Sequence, residues 1–222
     1  MRKINGNDIF ENNIYNWSSW SADVLQSVGE VQEVFNRLDL TGKKITRLRS
    51  LGGNCVFPFS YAYDEENKYF EEFPARLYYC RMEIVLPFII SFADGDRLEI
   101  DFEFTSSLRM SKNSFPVDIR ATGTGPADFE ASHLFAGCLG ETLLRLETEA
   151  TDTPRDIGDA YGELEEGRDD YIEAIYLVLS SGQKLRFSTN YDYGIVALLD
   201  ENGEPVKLSF DEFKQSFLKY FG

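Results

Sequence analysis

Over residues 98–104 the chain alternates strictly, with Leu98, Ile100, Phe102 and Phe104 on one parity and Glu99, Asp101 and Glu103 on the other. Successive side chains of a strand point to opposite faces, so this pattern predicts a strand with one buried and one solvated face. Asp94-Gly95-Asp96 ahead of it predicts a hairpin turn, because glycine accepts the positive φ that a tight turn needs. The same order of signals returns further on: an apolar run over 174–179, a turn at 180–183, and a strand over 184–189. Gly182 and Leu185 sit there as Gly95 and Leu98 sit in the first hairpin. Upstream of each hairpin lies another matched piece, Leu40, Gly42, Ile45, Arg47 and Leu48 against Cys138, Gly140, Leu143, Arg145 and Leu146.

The other patterns are looser. Residues 44–51 alternate imperfectly, 56–63 are rich in aromatics and 76–90 form a long β-prone run. Leu25, Val28, Val31, Val34, Phe35 and Leu38 recur at three- and four-residue steps, which predicts a helix from Ser21, capped by Ser21 with Asp23 in its first turn and followed by Gly42 as a helix stop or turn. Residues 191–199 and 206–208, joined at 200–204, predict a third hairpin. Ser209 and Glu212 then have capping-box spacing for a C-terminal helix whose apolar face is Phe210, Phe213, Phe217 and Leu218. Residues 1–20 carry Trp17 and Trp20 among asparagines and predict an ordered arm.

These elements describe an α+β protein, mainly antiparallel sheet, with flanking N- and C-terminal helices. A single domain over 1–222 is expected, built from two degenerate halves, each a helix or turn, a strand and a hairpin, at about 35–115 and 133–205.

Composition sharpens this picture. The 222 residues carry 22 Lys+Arg against 38 Asp+Glu, a net charge of -16 that disfavours phosphate backbones and anionic lipid. Nucleic-acid and membrane partners are therefore not expected. Half of that imbalance lies within 147–170, where ten acidic residues meet only Arg155 and Arg168. Pro154, Gly158, Gly162 and Gly167 make most of this stretch a loop. The N-terminus has no signal-peptide pattern, and the apolar run over 84–90 is too short to span a membrane. Cys55, Cys80 and Cys138 cannot all pair and match no zinc spacing, which places three reduced thiols in a cytoplasmic protein.

Candidate chemistry is sparse. Residues two apart on a strand stand about 6.7 Å from each other on one face. Glu99, Asp101 and Glu103 could thus serve as an acid/base set on a carbohydrate or another small molecule, with Tyr61 or Tyr63 stacking on it. Asp94-Gly95 followed by these acids resembles the acidic strand motif of chitinases, but with two inserted residues and in a chain shorter than that family's barrel. His133 is the one histidine, so a multi-histidine metal site is excluded within one chain, and a Cys–His pair would need Cys138 or Cys55 beside it. Neither an EF-hand over 147–170 nor a P-loop at 121–126 has the required residues. No cofactor or metal is expected.

The expected function is a non-enzymatic cytoplasmic binding protein that presents an acidic surface to a basic protein partner. Its candidate residues are Asp152, Asp156, Asp159, Glu163, Glu165, Glu166, Asp169 and Asp170. Bacterial immunity proteins and inhibitors of basic toxins are similar in size, acidity and lack of motif. The alternatives are a small-molecule enzyme using Glu99, Asp101 and Glu103, and a structural domain.

Overall fold

The computed structural model describes residues 20–22, 24–51, 63–64, 69–70, 78–84, 87–102, 107–115, 128–152, 169–190, 193–212 and 215. Its elements run β1 (Val24–Leu25), α1 (Val28–Leu38), β2 (Ile45–Leu51), β3 (Tyr63–Asp64), β4 (Tyr69–Phe70), β5 (Tyr78–Tyr79), β6 (Arg81–Ile84), β7 (Phe88–Phe92) and β8 (Arg97–Phe102). Then follow β9 (Leu108–Lys112), β10 (Asp128–Glu130), β11 (Leu143–Thr151), β12 (Tyr171–Leu179), β13 (Lys184–Asn190), β14 (Tyr193–Leu199) and β15 (Lys207–Leu208). Two single-turn 3-10 helices, Ala131–His133 and Ala136–Cys138, lead into β11. The architecture is thus mixed α+β and dominated by antiparallel sheet.

Six strands form one sheet in the order β1-β9-β8-β7-β2-β10, and five form a second in the order β11-β12-β13-β14-β6. The apolar parity of each sheet faces a common core. From the first sheet come Leu48, Phe88, Ile90, Leu98, Ile100 and Met110, and from the second Leu146, Ile175, Leu177, Leu185, Phe187 and Val196. Phe88 is central, meeting Phe187 of the opposite sheet edge-on at 5.6 Å and Phe135 at 5.8 Å. Each such fully buried side chain contributes on the order of 1.5–3 kcal/mol relative to exposure.

Both hairpins form where the alternation predicts them. Gly95 and Gly182 adopt φ of 92° and 87°. Each turn is closed alike: Gly95 N–H donates to Phe92 O at 3.1 Å, and Gly182 N–H to Leu179 O at 2.9 Å. The imperfect alternation of 44–51 also has a cause. A β-bulge between Ile45 and Arg47 shifts the parity, so Ile45 and Leu48, three apart, both face the core. β11 has its bulge between Leu143 and Arg145, and there Leu143 and Leu146 are both buried.

The two sheets are stitched at the starts of β2 and β11, where Lys44 and Thr142 face each other across an isolated antiparallel bridge. Around it Gly42 N–H donates to Leu143 O (2.7 Å) and Gly140 N–H to Ile45 O (2.9 Å). Ile45 N–H donates to Glu141 O (2.8 Å), and Leu143 N–H to Lys43 O (2.9 Å). Elements also cross between the sheets. β6 precedes the first sheet's β7 in sequence yet pairs with β14 of the second, and α1 packs against β11 as well as β9.

The helix begins later than its periodicity predicts. Residues 24–25 instead pair with β9, and Ser27 is the N-cap of α1, its hydroxyl accepting from Glu30 N–H while the Glu30 carboxylate accepts from Ser27 N–H. This reciprocal pair satisfies two backbone donors at the start of the helix. At its end Asp39 takes the left-handed conformation at φ 51°, and Gly42 forms the following turn. At the other end Ser209 and Glu212 make their capping box, with helical residues described at 210–212 and 215. The N-terminal arm before Trp20, the stretch 52–62, and Phe213, Phe217 and Leu218 lie outside the described residues.

Candidate functional site

The parity of β8 that the alternation assigns to solvent is in fact covered. Glu99 is 0% exposed and Asp101 6%, while Glu103 lies outside the described residues. Hairpin register places Ser111 of β9 opposite Glu99 and Arg109 opposite Asp101. The Ser111 hydroxyl donates to Glu99 Oε2 at 2.6 Å, and Ser114 N–H donates to the same oxygen at 3.2 Å. Glu99 Oε1 lies 3.6 Å from Arg97 Nε.

Trp20 closes this arrangement. Its indole N–H donates to Ser111 Oγ at 2.8 Å, its ring meets Phe115 edge-on at 5.4 Å, and the Arg109 guanidinium lies 5.8 Å from its centroid. Ser114 Oγ donates to Ser21 O and ties down the neighbouring backbone. Burial raises the Glu99 carboxyl above its ordinary range, against the lowering effect of Ser111 and the backbone N–H groups. The expectation of a solvated row of acids fails for Glu99 and Asp101 because a tryptophan about eighty residues away in sequence packs across that face. Such a tertiary contact leaves no mark in a local alternation.

A pair of acids serving glycoside hydrolysis needs room between them for a sugar and a water. Glu99 Oε2 instead accepts from Ser111 and Ser114, and Oε1 stands 3.6 Å from Arg97 Nε as an ion pair without a hydrogen bond. Phe57, Phe59 and Tyr61 lie outside the described residues, and Tyr63 belongs to a two-residue strand pairing with β4.

The other nucleophile candidates separate from one another. His133 is exposed at the end of a 3-10 turn, whereas Cys138 is wholly buried. Burial pushes the Cys138 thiol up to about 12, and the Cys80 thiol, which donates to Leu134 O, also rises through burial. A nucleophilic cysteine needs the opposite shift. Cys55 lies outside the described residues. Among the described residues no three His, Cys, Asp or Glu side chains gather as metal ligands, and no helix is long and apolar enough to cross a membrane.

Of the acidic stretch 147–170, residues 147–151 belong to β11 and the rest connects it to β12. Register pairs Thr151 with Tyr171, so the chain leaves and returns side by side. Asp152 and Asp169 are exposed at this root and Asp170 is half-buried, its carbonyl accepting from Val28 N–H at the start of α1. Asp156, Asp159, Glu163, Glu165 and Glu166 lie outside the described residues.

The strands below the root carry a ladder of charges that local patterns do not reveal. Lys184 donates to Glu147 at 2.7 Å and stands 5.7 Å from the Tyr176 ring centroid. Arg145 also donates to Glu147, and the Tyr176 hydroxyl donates to Glu149. Lys184, followed by Arg145, holds the Glu147 carboxyl below its ordinary range. Once the second hairpin is recognised, its register brings Glu147, Tyr176 and Arg186 into one cross-strand row.

Comparison with family models, with curated proteins and with solved structures finds no match.

Proposed function

We propose that this chain is a non-enzymatic cytoplasmic binding protein whose acidic β11–β12 connection receives a basic protein partner. The observation that carries this reading is the paired root of the connection. Thr151 and Tyr171 hold its two ends on adjacent strands, and Asp152 and Asp169 stand exposed there. A connection with eight acidic residues against Arg155 and Arg168 thereby has its two ends at one place on the surface, where their charges add to one field. Such a field speeds encounter with basic surfaces and repels nucleic acid and anionic lipid. The carbohydrate-enzyme alternative calls for Glu99 and Asp101 at solvent, so their burial favours the binding reading.

We further infer that the two sheets descend from one duplicated unit. Each of the four hydrogen bonds around Lys44 and Thr142 has its counterpart when Gly42 is matched to Gly140 and Ile45 to Leu143. The correspondence continues outward. Ala93 N–H donates to Lys44 O and Ser180 N–H to Thr142 O, each at 2.9 Å, and both entry strands bulge one residue after that bridge region.

The test of the binding reading is capture of partners from source-cell extract at low and high salt. Salt-sensitive recovery of a basic protein, lost when Glu163, Glu165 and Glu166 are changed to Gln but kept when Asp200, Glu201 and Glu204 are neutralised, is the expected result. Recovery indifferent to the first set of changes removes the reading.

A further inference from the structure

The second sheet carries two arginines in one row on the face turned away from the core. Register sets Tyr176 of β12, Arg186 of β13, Ala197 of β14 and Arg81 of β6 directly opposite one another in sequence across the sheet. Residues paired in this way share a face, and the adjoining row of Phe187, Val196 and Met82 fills the core on the other side. Arg186 and Arg81 therefore flank Ala197, their Cα atoms two strand spacings apart, about 9.5 Å. Ala197 ends at its Cβ, so its own side chain puts nothing between the two guanidinium groups.

The described carboxylates nearest this row already have partners. Glu147 accepts from Lys184 and Arg145, and Glu149 accepts from the Tyr176 hydroxyl. Arg186 lies beside that hydroxyl, which is a neutral group and leaves the arginine's charge unmatched. Among the described side chains neither Arg81 nor Arg186 has a carboxylate partner, and the Nε of each is buried without a hydrogen bond. Acids are not scarce in a chain with 38 Asp+Glu against 22 Lys+Arg. Placement, then, leaves these two cations free for another acceptor.

The surroundings decide what that acceptor is. A buried donor with no acceptor keeps its desolvation uncompensated, so an incoming oxygen gains what water has already lost. Ala197 and Leu199 of β14 are buried and make an apolar floor, where a charge-assisted hydrogen bond is stronger than in open solvent. A guanidinium fork fits two oxygens of a phosphate or a carboxylate. Two forks from opposite sides bring two positive charges to one group, which matches a phosphate dianion better than a single carboxylate.

We propose that Arg81 and Arg186 form a binding site for the phosphate group of a small molecule, held between their guanidinium groups above Ala197. The chain's net charge of -16 repels polyanions, which makes a small phosphate rather than a nucleic acid the ligand. The site uses no residue of the acidic connection, so it stands or falls independently of the basic-partner reading.

Calorimetric titration of the full chain with inorganic phosphate and with glycerol phosphate, at constant ionic strength in chloride, tests the site. Saturable one-to-one binding is expected, with acetate at least tenfold weaker, and the tighter of the two phosphates tells the free ion from an ester. Arg81→Gln and Arg186→Gln should each weaken binding at least tenfold. Ala197→Val, which keeps both charges and narrows the space between them, should weaken it several-fold. Phenylglyoxal labelling needs no variant: phosphate should slow modification of Arg81 and Arg186, read by peptide mapping, and leave the other arginines unchanged.

Absence of saturable binding overturns the proposal, as does binding that both Gln variants retain or labelling that phosphate slows at every arginine alike. Stabilisation equalled by chloride at the same ionic strength overturns it too, since that effect is screening of the net charge. Glu83 is the next acid along β6, in register with Ile195. Binding that appears only in Glu83→Gln would show that this residue already holds Arg81, and would also sink the proposal.

Discussion

Gly42 and Gly140 occupy equivalent turns on either side of the Lys44–Thr142 bridge, both at φ 85°, each donating its N–H to the strand that the other precedes. An added Cβ would meet nothing within 4 Å at Gly42 and only the Lys44 side chain at 3.7 Å at Gly140, so backbone conformation dominates the effect of a substitution. Gly42→Ala and Gly140→Ala should each destabilise by about 1–2 kcal/mol, the left-handed penalty for an L-residue. Closely similar losses in urea unfolding are expected for the two variants, and a large disparity would count against the equivalence of the turns.

Gly194 presents the opposite case, where space decides. A Cβ there would come within 2.8 Å of Ile84 Cγ1 and 3.1 Å of Ile84 Cδ1, with Phe102 Cβ at 3.5 Å. The β6–β14 pairing brings Ile84 into register with this glycine. Gly194→Ala should cost about 1–3 kcal/mol through overpacking. Shortening the neighbour in Gly194→Ala/Ile84→Val should recover part of that loss, as a double-mutant cycle by thermal unfolding would show.

Glu99 gives stability a pH dependence of definite sign. Its carboxyl titrates above the ordinary range in the folded protein because burial disfavours the charged form. The folded state therefore binds the proton more tightly than the unfolded state does. The contribution of this group is fully present below the unfolded pKa of about 4, and is lost as pH rises through the higher folded value. Glu99→Gln has no such loss, so its stability relative to the parent should improve between about pH 4 and pH 7. Denaturant unfolding at the two pH values reads this directly, and a relative change of the opposite sign would refute it.

Lys43 has the reverse influence on the first hairpin. Its ammonium donates to Asp94 and, at 2.6 Å, to Asp96, and together with the Asn113 side-chain amide it lowers the Asp96 carboxyl to about 2. This contribution is present above the ordinary carboxylate range and fades as pH falls through about 2. Lys43→Met should move the Asp96 titration upward toward about 3.9, as side-chain carboxyl NMR would report.

Thiol labelling tests the buried cysteines. With Cys138 at about 12, roughly one molecule in ten thousand carries a thiolate there at pH 8, and no solvent reaches the side chain. Peptide mapping after brief iodoacetamide treatment should find Cys80 and Cys138 unmodified in the native protein and modified in denaturant.

Local patterns made the hairpins legible because a turn glycine and the alternation that follows it agree at 95–102 and 182–188. The start of α1 was less legible, since Ser21 and Ser27 both offer capping chemistry and only the pairing of Val24 and Leu25 with β9 excludes the earlier start. Glu99 was misread for a related reason. Its parity was right and its surroundings were not, because Trp20 and Phe115 reach that face from outside the strand. Ser111, the group that joins Trp20 to Glu99, becomes visible only once the β8–β9 register is known.

The exchange of elements between the sheets bears on how the chain reaches this structure. β6 joins a strand more than a hundred residues downstream, and α1 comes to rest on β11, so neither sheet is complete until most of the chain has been made. Contacts this distant in sequence slow folding, because loop-closure entropy is lost before they form. They also interlock the product. A single proteolytic cut between β9 and β10 should leave two fragments that stay associated and melt together, and either fragment made alone should fail to form its sheet.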